Sequence, residues 1–128
     1  KPPEMNGGTA PPPHKHPYTL WANQSQGFDE VGCIYSAQGF EFDYIGVIWG
    51  EDLVWQNEEG WVAQSKKSHD KAAKNGSGKD GAAYSKRLRQ AYRVLLSRGM
   101  KGCYVVCLDE GVKKQVQQAL NESMRAEL

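Results

Sequence analysis

Apolar residues fall into two kinds of run along this chain. Val31-Gly-Cys-Ile-Tyr35, Tyr44-Ile-Gly-Val-Ile-Trp49 and Cys103-Tyr-Val-Val-Cys-Leu108 are short, β-branched or aromatic, and almost continuously apolar. Such runs predict strands buried on both faces, as in a parallel sheet. Leu53-Val-Trp55 and Trp61-Val-Ala63 flank the polar turn Gln56 to Gly60 and predict a hairpin. From Tyr84 the period changes: Leu88, Ala91, Tyr92, Leu95, Leu96 and Gly99 follow at helical spacing, with Lys86, Arg87, Arg89 and Arg93 projecting elsewhere. Asp109 stands where a helix cap is expected, before an inner stripe of Val112, Val116, Ala119, Leu120 and Ser123. Strand, strand, hairpin, helix, strand, helix predicts an α/β layer fold with a largely parallel sheet flanked by helices.

Composition adds boundaries. The chain has 128 residues, 39% hydrophobic and 24% charged, enough for one globular core. All six prolines lie in the first 17 residues, so residues 1–17 read as a Pro-rich linker or arm and 18–128 as the domain. The opening at Lys1 suits a piece of a longer chain, whose preceding part is expected to matter. Without a long apolar run or a signal-type start, the expected location is the cytoplasm. Residues 65–82 are polar and basic around Asn75-Gly-Ser-Gly78, which predicts a long flexible loop.

Charge is segregated. Between Pro17 and Gln64 eight acids stand with no base, while from Ser65 to Lys101 eleven bases stand against Asp70 and Asp80. That block, Lys66 and Lys67 included, is a candidate surface for a polyanion. No metal site is expected. Cys103 and Cys107 lie about 13 Å apart along a strand, too far for one ion. Cys33, Cys103 and Cys107 read as buried free thiols, and His14 and His16 as a solvated pair.

Chemistry concentrates in Tyr35-Ser-Ala-Gln-Gly-Phe-Glu-Phe42, where Gln38 and Glu41 add hydrogen-bonding groups and Gly39 permits a close backbone approach. Ser36 to Gly39 begins where the expected Val31–Tyr35 strand ends, at the carboxyl end beyond which open parallel sheets bind ligands.

Cys33-Ile-Tyr-Ser-Ala-Gln-Gly-Phe-Glu-Phe42 resembles motif V of superfamily 1 helicases, which in UvrD-like members reads Thr-x-His-x-x-Lys-Gly-x-Glu-Phe. Tyr92-Arg-Val-Leu-Leu-Ser-Arg-Gly-Met-Lys101 resembles motif VI, a helix ending in Thr-Arg-Ala before a strand. Both stretches are also similar to a bacterial family of Schlafen-like DNA/RNA helicase-domain proteins, over about residues 21–120. The resemblance implies a RecA-like fold, the second domain of a P-loop NTPase, with Arg98 as an arginine finger for the γ-phosphate of ATP. It implies nucleotide contacts from Gln38, Gly39 and Glu41, and nucleic-acid contacts from Tyr35 and Ser36. The chain departs from the UvrD-like pattern at Cys33, Tyr35, Gln38 and Gly99, where relatives carry a hydroxyl residue, His, Lys and Ala.

No Gly-x-x-x-x-Gly-Lys-Ser/Thr is present, and Gly76, Gly78, Lys79 and Gly81 lack its spacing. ATP and Mg2+ are therefore expected to be held by a P-loop domain before Lys1, and the fragment alone is expected to lack ATPase activity. Single-stranded DNA or RNA is the expected further partner. The alternative is a non-catalytic RecA-like module that docks nucleic acid or protein.

Overall fold

The computed structural model describes residues 21–69 and 81–127. The expected arm at 1–17, with His14 and His16, and the glycine-rich centre of the basic loop lie outside the described residues. Two compact units divide between Phe40 and Glu41.

The first unit is organised around Trp21. Its indole Nε1 donates to the Glu30 carbonyl (3.0 Å), and its ring lies where any side chain at Gly32 would have to sit. A 3-10 helix spans Ser25–Asp29, and a one-turn helix, α1, spans Ile34–Ala37. The expected strand at Val31–Tyr35 does not form. Ser36 explains the difference: its hydroxyl accepts the Cys33 N–H (2.8 Å) and donates to the Cys33 carbonyl (3.0 Å). Local side-chain bonds of this kind compete directly with a strand ladder. Val31 is accordingly exposed, and so is Cys33, against the expectation of a buried thiol.

The second unit is α/β. It contains β1 (Phe42–Trp49), β2 (Leu53–Gln56), β3 (Gly60–Ala63), a 3-10 turn at Ser65–Lys67, α2 (Gly81–Leu96), β4 (Gly99–Cys107) and α3 (Glu110–Ala126). β1 and β4 form a parallel pair, while β2 and β3 form a separate antiparallel hairpin. The hairpin turn needs Gly60, whose φ of 77° is left-handed. Among the described residues parallel pairing is limited to two of the four strands, fewer than the apolar runs predict. The two central runs are also open on one side: Ile45, Val47 and Trp49 are buried, whereas Tyr44, Ile48, Tyr104 and Val106 are exposed.

The core joins Trp49, Leu53 and Val54 to Tyr84, Leu88 and Tyr92 of α2 and Val112 of α3. The helical period from Tyr84 therefore identifies the buried face of α2. Aromatic rings build its centre: Tyr92 stacks on Trp49 (4.4 Å, 9°), Trp49 stacks on Trp61 (5.3 Å, 20°), and Trp55 meets Trp61 edge-on. The polar ends of Trp49 and Tyr92 are satisfied. Trp49 Nε1 donates to the Leu53 carbonyl (2.9 Å), while the Tyr92 hydroxyl donates to Asp52 (2.6 Å) and accepts the Gly50 N–H (2.9 Å). Burial first, and then the Asp52 bond, push the Tyr92 phenol well above its ordinary pKa.

Asp109 caps α3 as expected, accepting the Val112 N–H at 2.9 Å. Gly111 lets this helix start tight against β2, since a Cβ there would stand 2.8 Å from the Trp55 carbonyl oxygen. The expected inner stripe of α3 is only partly realised. Val112 is buried and Val116 half-buried, but Ala119, Leu120 and Ser123 are exposed. Cys103 and Cys107 are half-buried rather than buried, and burial raises both thiol pKa values.

Candidate functional site

The two motif-like segments end on adjacent strands. Phe42 opens β1 and pairs with Gly99, which opens β4, and the Phe42 N–H donates to the Arg98 carbonyl at 2.9 Å. Glu41 and Arg98, far apart in sequence, are thereby neighbours along one edge. That edge is the amino end of both strands. The sheet argument for Ser36–Gly39, which required a strand ending at Tyr35, does not hold, because α1 occupies that stretch.

Backbone geometry at this edge depends on glycine. Between the Phe42–Gly99 and Tyr44–Gly102 pairs β4 carries one residue more than β1, a bulge that folds Gly99 against Gly102. A side chain at Gly99 would strike the Gly102 carbonyl oxygen, and one at Gly102 would meet the Tyr44 ring at 3.0 Å. This accounts for Gly rather than Ala after the arginine. Lys101, carried on the bulge, reaches back to Asp43 with a 3.0 Å ion pair. Both side chains are exposed, so the pair contributes about 0–1 kcal/mol.

Arg98 is half-buried where α2 runs out. Its Nε donates to the Val94 carbonyl (3.2 Å) and one Nη to the Ser97 hydroxyl (3.3 Å). The guanidinium thus joins the Ser97 N–H and hydroxyl in donating to the Val94 carbonyl and lies at the helix end that favours a cation. Glu41 is exposed.

The remaining predicted residues divide between the units. In the first, Gln38 and Gly39 are exposed, and Gly39 has a φ of 85° that a residue with a side chain rarely adopts. Tyr35 is half exposed, whereas Ser36 is buried with its hydroxyl engaged by Cys33. In the second, Lys66 and Lys67 are exposed on the 3-10 turn, and Lys67 lies 3.6 Å from Glu51. Sequence reasoning missed Asp52, whose bond to Tyr92 crosses from the β1–β2 turn to α2. It also missed Asp43, paired to the bulge. Neither has a local signal beyond being an acid beside an apolar run. Among the described residues no three His, Cys, Asp or Glu side chains gather as a metal site, and no helix is long and apolar enough to cross a membrane.

Comparisons with known proteins bear on the same stretch. The chain is 28% identical over 102 residues to Uncharacterized protein YPL245W of Saccharomyces cerevisiae, a match covering 77% of this chain and 22% of that protein. The chain thus spans about a fifth of that relative's length. No solved structure matches it. The model of the family Schlafen group 3, DNA/RNA helicase domain, matches residues 11–109, which takes in α1, the β1–β4 pair, the hairpin and α2. With most of its length under that one model, the chain belongs to the Schlafen group 3 DNA/RNA helicase domain family.

Proposed function

We propose that this domain is the second, RecA-like motor domain of a superfamily 1 helicase-like ATPase. In this reading Arg98 supplies the positive charge that completes a nucleotide site on another domain. The observation that carries it is the Phe42 to Arg98 backbone bond, which brings the Glu41 and Arg98 segments to one strand edge. Family membership supports the helicase-like character of that edge.

The residues present fit an edge contact rather than a complete nucleotide site. Arg98 offers a permanent charge with a planar fork suited to phosphate oxygens. Glu41 offers a carboxylate on the same edge. Gln38 and Gly39 of the first unit are proposed as nucleotide contacts on the resemblance alone, and no P-loop cradle is present in the sequence. ATP with Mg2+ would therefore be bound mainly by a separate P-loop domain, and Arg98 would act on charge developing on the γ-phosphate. To do so its guanidinium must exchange the Val94 carbonyl and Ser97 hydroxyl for phosphate oxygens, a stronger, charge-assisted partnership. Tyr35 and the lysines Lys66 and Lys67 are the proposed contacts to DNA or RNA.

The test is kinetic. In a protein joining this domain to its P-loop partner, Arg98→Ala lowers kcat by about a thousandfold with ATP affinity nearly unchanged, the behaviour of an arginine finger. A stably folded variant with unaltered kcat removes Arg98 from the reaction. The isolated chain is expected to hydrolyse no ATP.

A second reading, a non-catalytic docking module, is favoured by one observation. Arg98 is already bonded within its own helix end, as a purely structural arginine would be. An Arg98→Ala variant that loses stability and no ATPase activity supports that reading.

A further inference from the structure

The aromatic core of the second unit opens to solvent beside α2. A cleft of about 350 Å³ lies there, lined by Trp49, Trp61, Tyr92 and Leu96, with Arg89 and Arg93 at its rim. Its volume is at the lower end of sites that hold small molecules, roughly 300–1,000 Å³. Trp49 and Tyr92 are buried, so Trp61, half-buried at the end of the Tyr92–Trp49–Trp61 stack, is the ring a ligand meets.

The rim is the informative part. Arg89 and Arg93 are exposed and sit one helical turn apart, a spacing at which like charges repel. α2 contains no acidic residue, and none of its four basic residues has an ion-pair partner among the described residues. The helix dipole accounts for Arg93, which is in the last turn, but not for Arg89 one turn further in. Two unpaired guanidinium groups beside an aromatic wall suit a ligand that combines a phosphate with a flat ring.

We propose that this cleft binds one nucleotide of a single-stranded nucleic acid, the base against Trp61 and the phosphate between Arg89 and Arg93. A strand is favoured over a free nucleotide because the cleft is open rather than enclosing. The charge also continues beyond it: exposed Lys86 lies three residues before Arg89, so the basic stripe runs about 10 Å along α2. The proposal rests on the nucleic-acid part of the proposed function and adds Trp61, Arg89 and Arg93 to the residues proposed there.

Binding of a fluorescein-labelled oligothymidylate to the 128-residue chain, followed by anisotropy across a salt series, tests it. Arg89→Gln with Arg93→Gln is expected to weaken binding at least about tenfold and to flatten the salt slope by roughly 0.7 for each phosphate no longer neutralised. Trp61→Leu is expected to weaken binding with the slope intact. Because Trp61 also packs on Trp49, the exposed arginine pair carries the decision, with circular dichroism confirming the fold. Unchanged affinity and slope in the double variant overturn the cleft assignment while leaving strand binding to other residues. Failure of the unaltered chain to bind any strand removes the nucleic-acid reading and this proposal with it. Adenosine monophosphate displacing the strand at equal concentration, or an acidic phosphopeptide binding more tightly than the strand, also overturns it.

Discussion

On one face of the β1–β4 pair, Ile45, Val47 and Trp49 are buried on the side where α2 packs, and Cys103, Val105 and Cys107 beside them are half-buried. On the opposite face Tyr44, Ile48, Tyr104 and Val106 are 52–70% exposed. The residue types are similar, and Tyr44 and Tyr104 even keep their rings 6.5 Å apart. What differs is the covering layer. A hydrophobic side chain stabilises the fold only in proportion to the area something else removes from water. The strands' apolar character alone therefore does not tell which face holds this unit together.

Substitutions should separate the two faces sharply. Trp49→Ala removes the centre of the aromatic stack and is expected to cost about 3–5 kcal/mol in urea unfolding. Tyr104→Ala, on the open face, is expected to cost less than about 1 kcal/mol. Equal losses would mean that the open face is covered in solution.

Smaller effects sharpen the contrast within the buried side, where α2 offers two tyrosines of similar burial. Tyr92 has both hydroxyl functions occupied, whereas the Tyr84 hydroxyl has no partner among the described residues. Tyr92→Phe is expected to destabilise by about 1–3 kcal/mol, since it strands the Gly50 N–H and removes the donor to Asp52. Its signature is alkaline. The Tyr92 pKa is raised in the folded state, so the unfolded chain ionises first. The stability that Tyr92 contributes in this way is full below about pH 10 and is lost as pH rises above it. Tyr92→Phe should flatten that fall in denaturation curves taken across the alkaline range, and an unchanged slope would assign it to other groups. Tyr84→Phe removes an unpaired buried hydroxyl and is expected to be neutral or to stabilise by up to about 1 kcal/mol. A clear loss would reveal a partner for that hydroxyl.

Legibility in the sequence follows the range of the interactions. The α2 face carrying Tyr84, Leu88 and Tyr92, the cap at Asp109 and the hairpin around Gly60 depend on neighbours within a turn or two, and all three are readable. Val31–Tyr35 misleads because strand propensity takes no account of Ser36, whose hydroxyl secures a helical turn from three residues away. The exposed face of β1 is hidden for another reason: a continuous apolar run carries no mark of which side will be covered. At the candidate edge the adjacency of Glu41 and Arg98 is a product of strand register. The bond from Arg98 to Val94 depends on where the helix stops, which no residue pattern states. Asp52 and Tyr92 meet across the β1–β2 turn and α2, and nothing near either residue announces the other.

The pairing of Phe42 with Gly99 has a consequence for how this unit acquires its structure. β2, β3 and α2 all lie in the chain between these partners, so the two strands cannot meet until a long segment has been brought round. Hairpins and helices close locally within microseconds, whereas pairings distant in sequence wait on the entropy of closing the intervening loop. The hairpin and α2 can therefore organise around Trp49 and Leu53 first, with β4 zipping onto β1 late. The edge bearing Glu41 and Arg98 is then among the last parts of the molecule to exist during refolding, and substitutions there should alter the unfolding rate more than the folding rate.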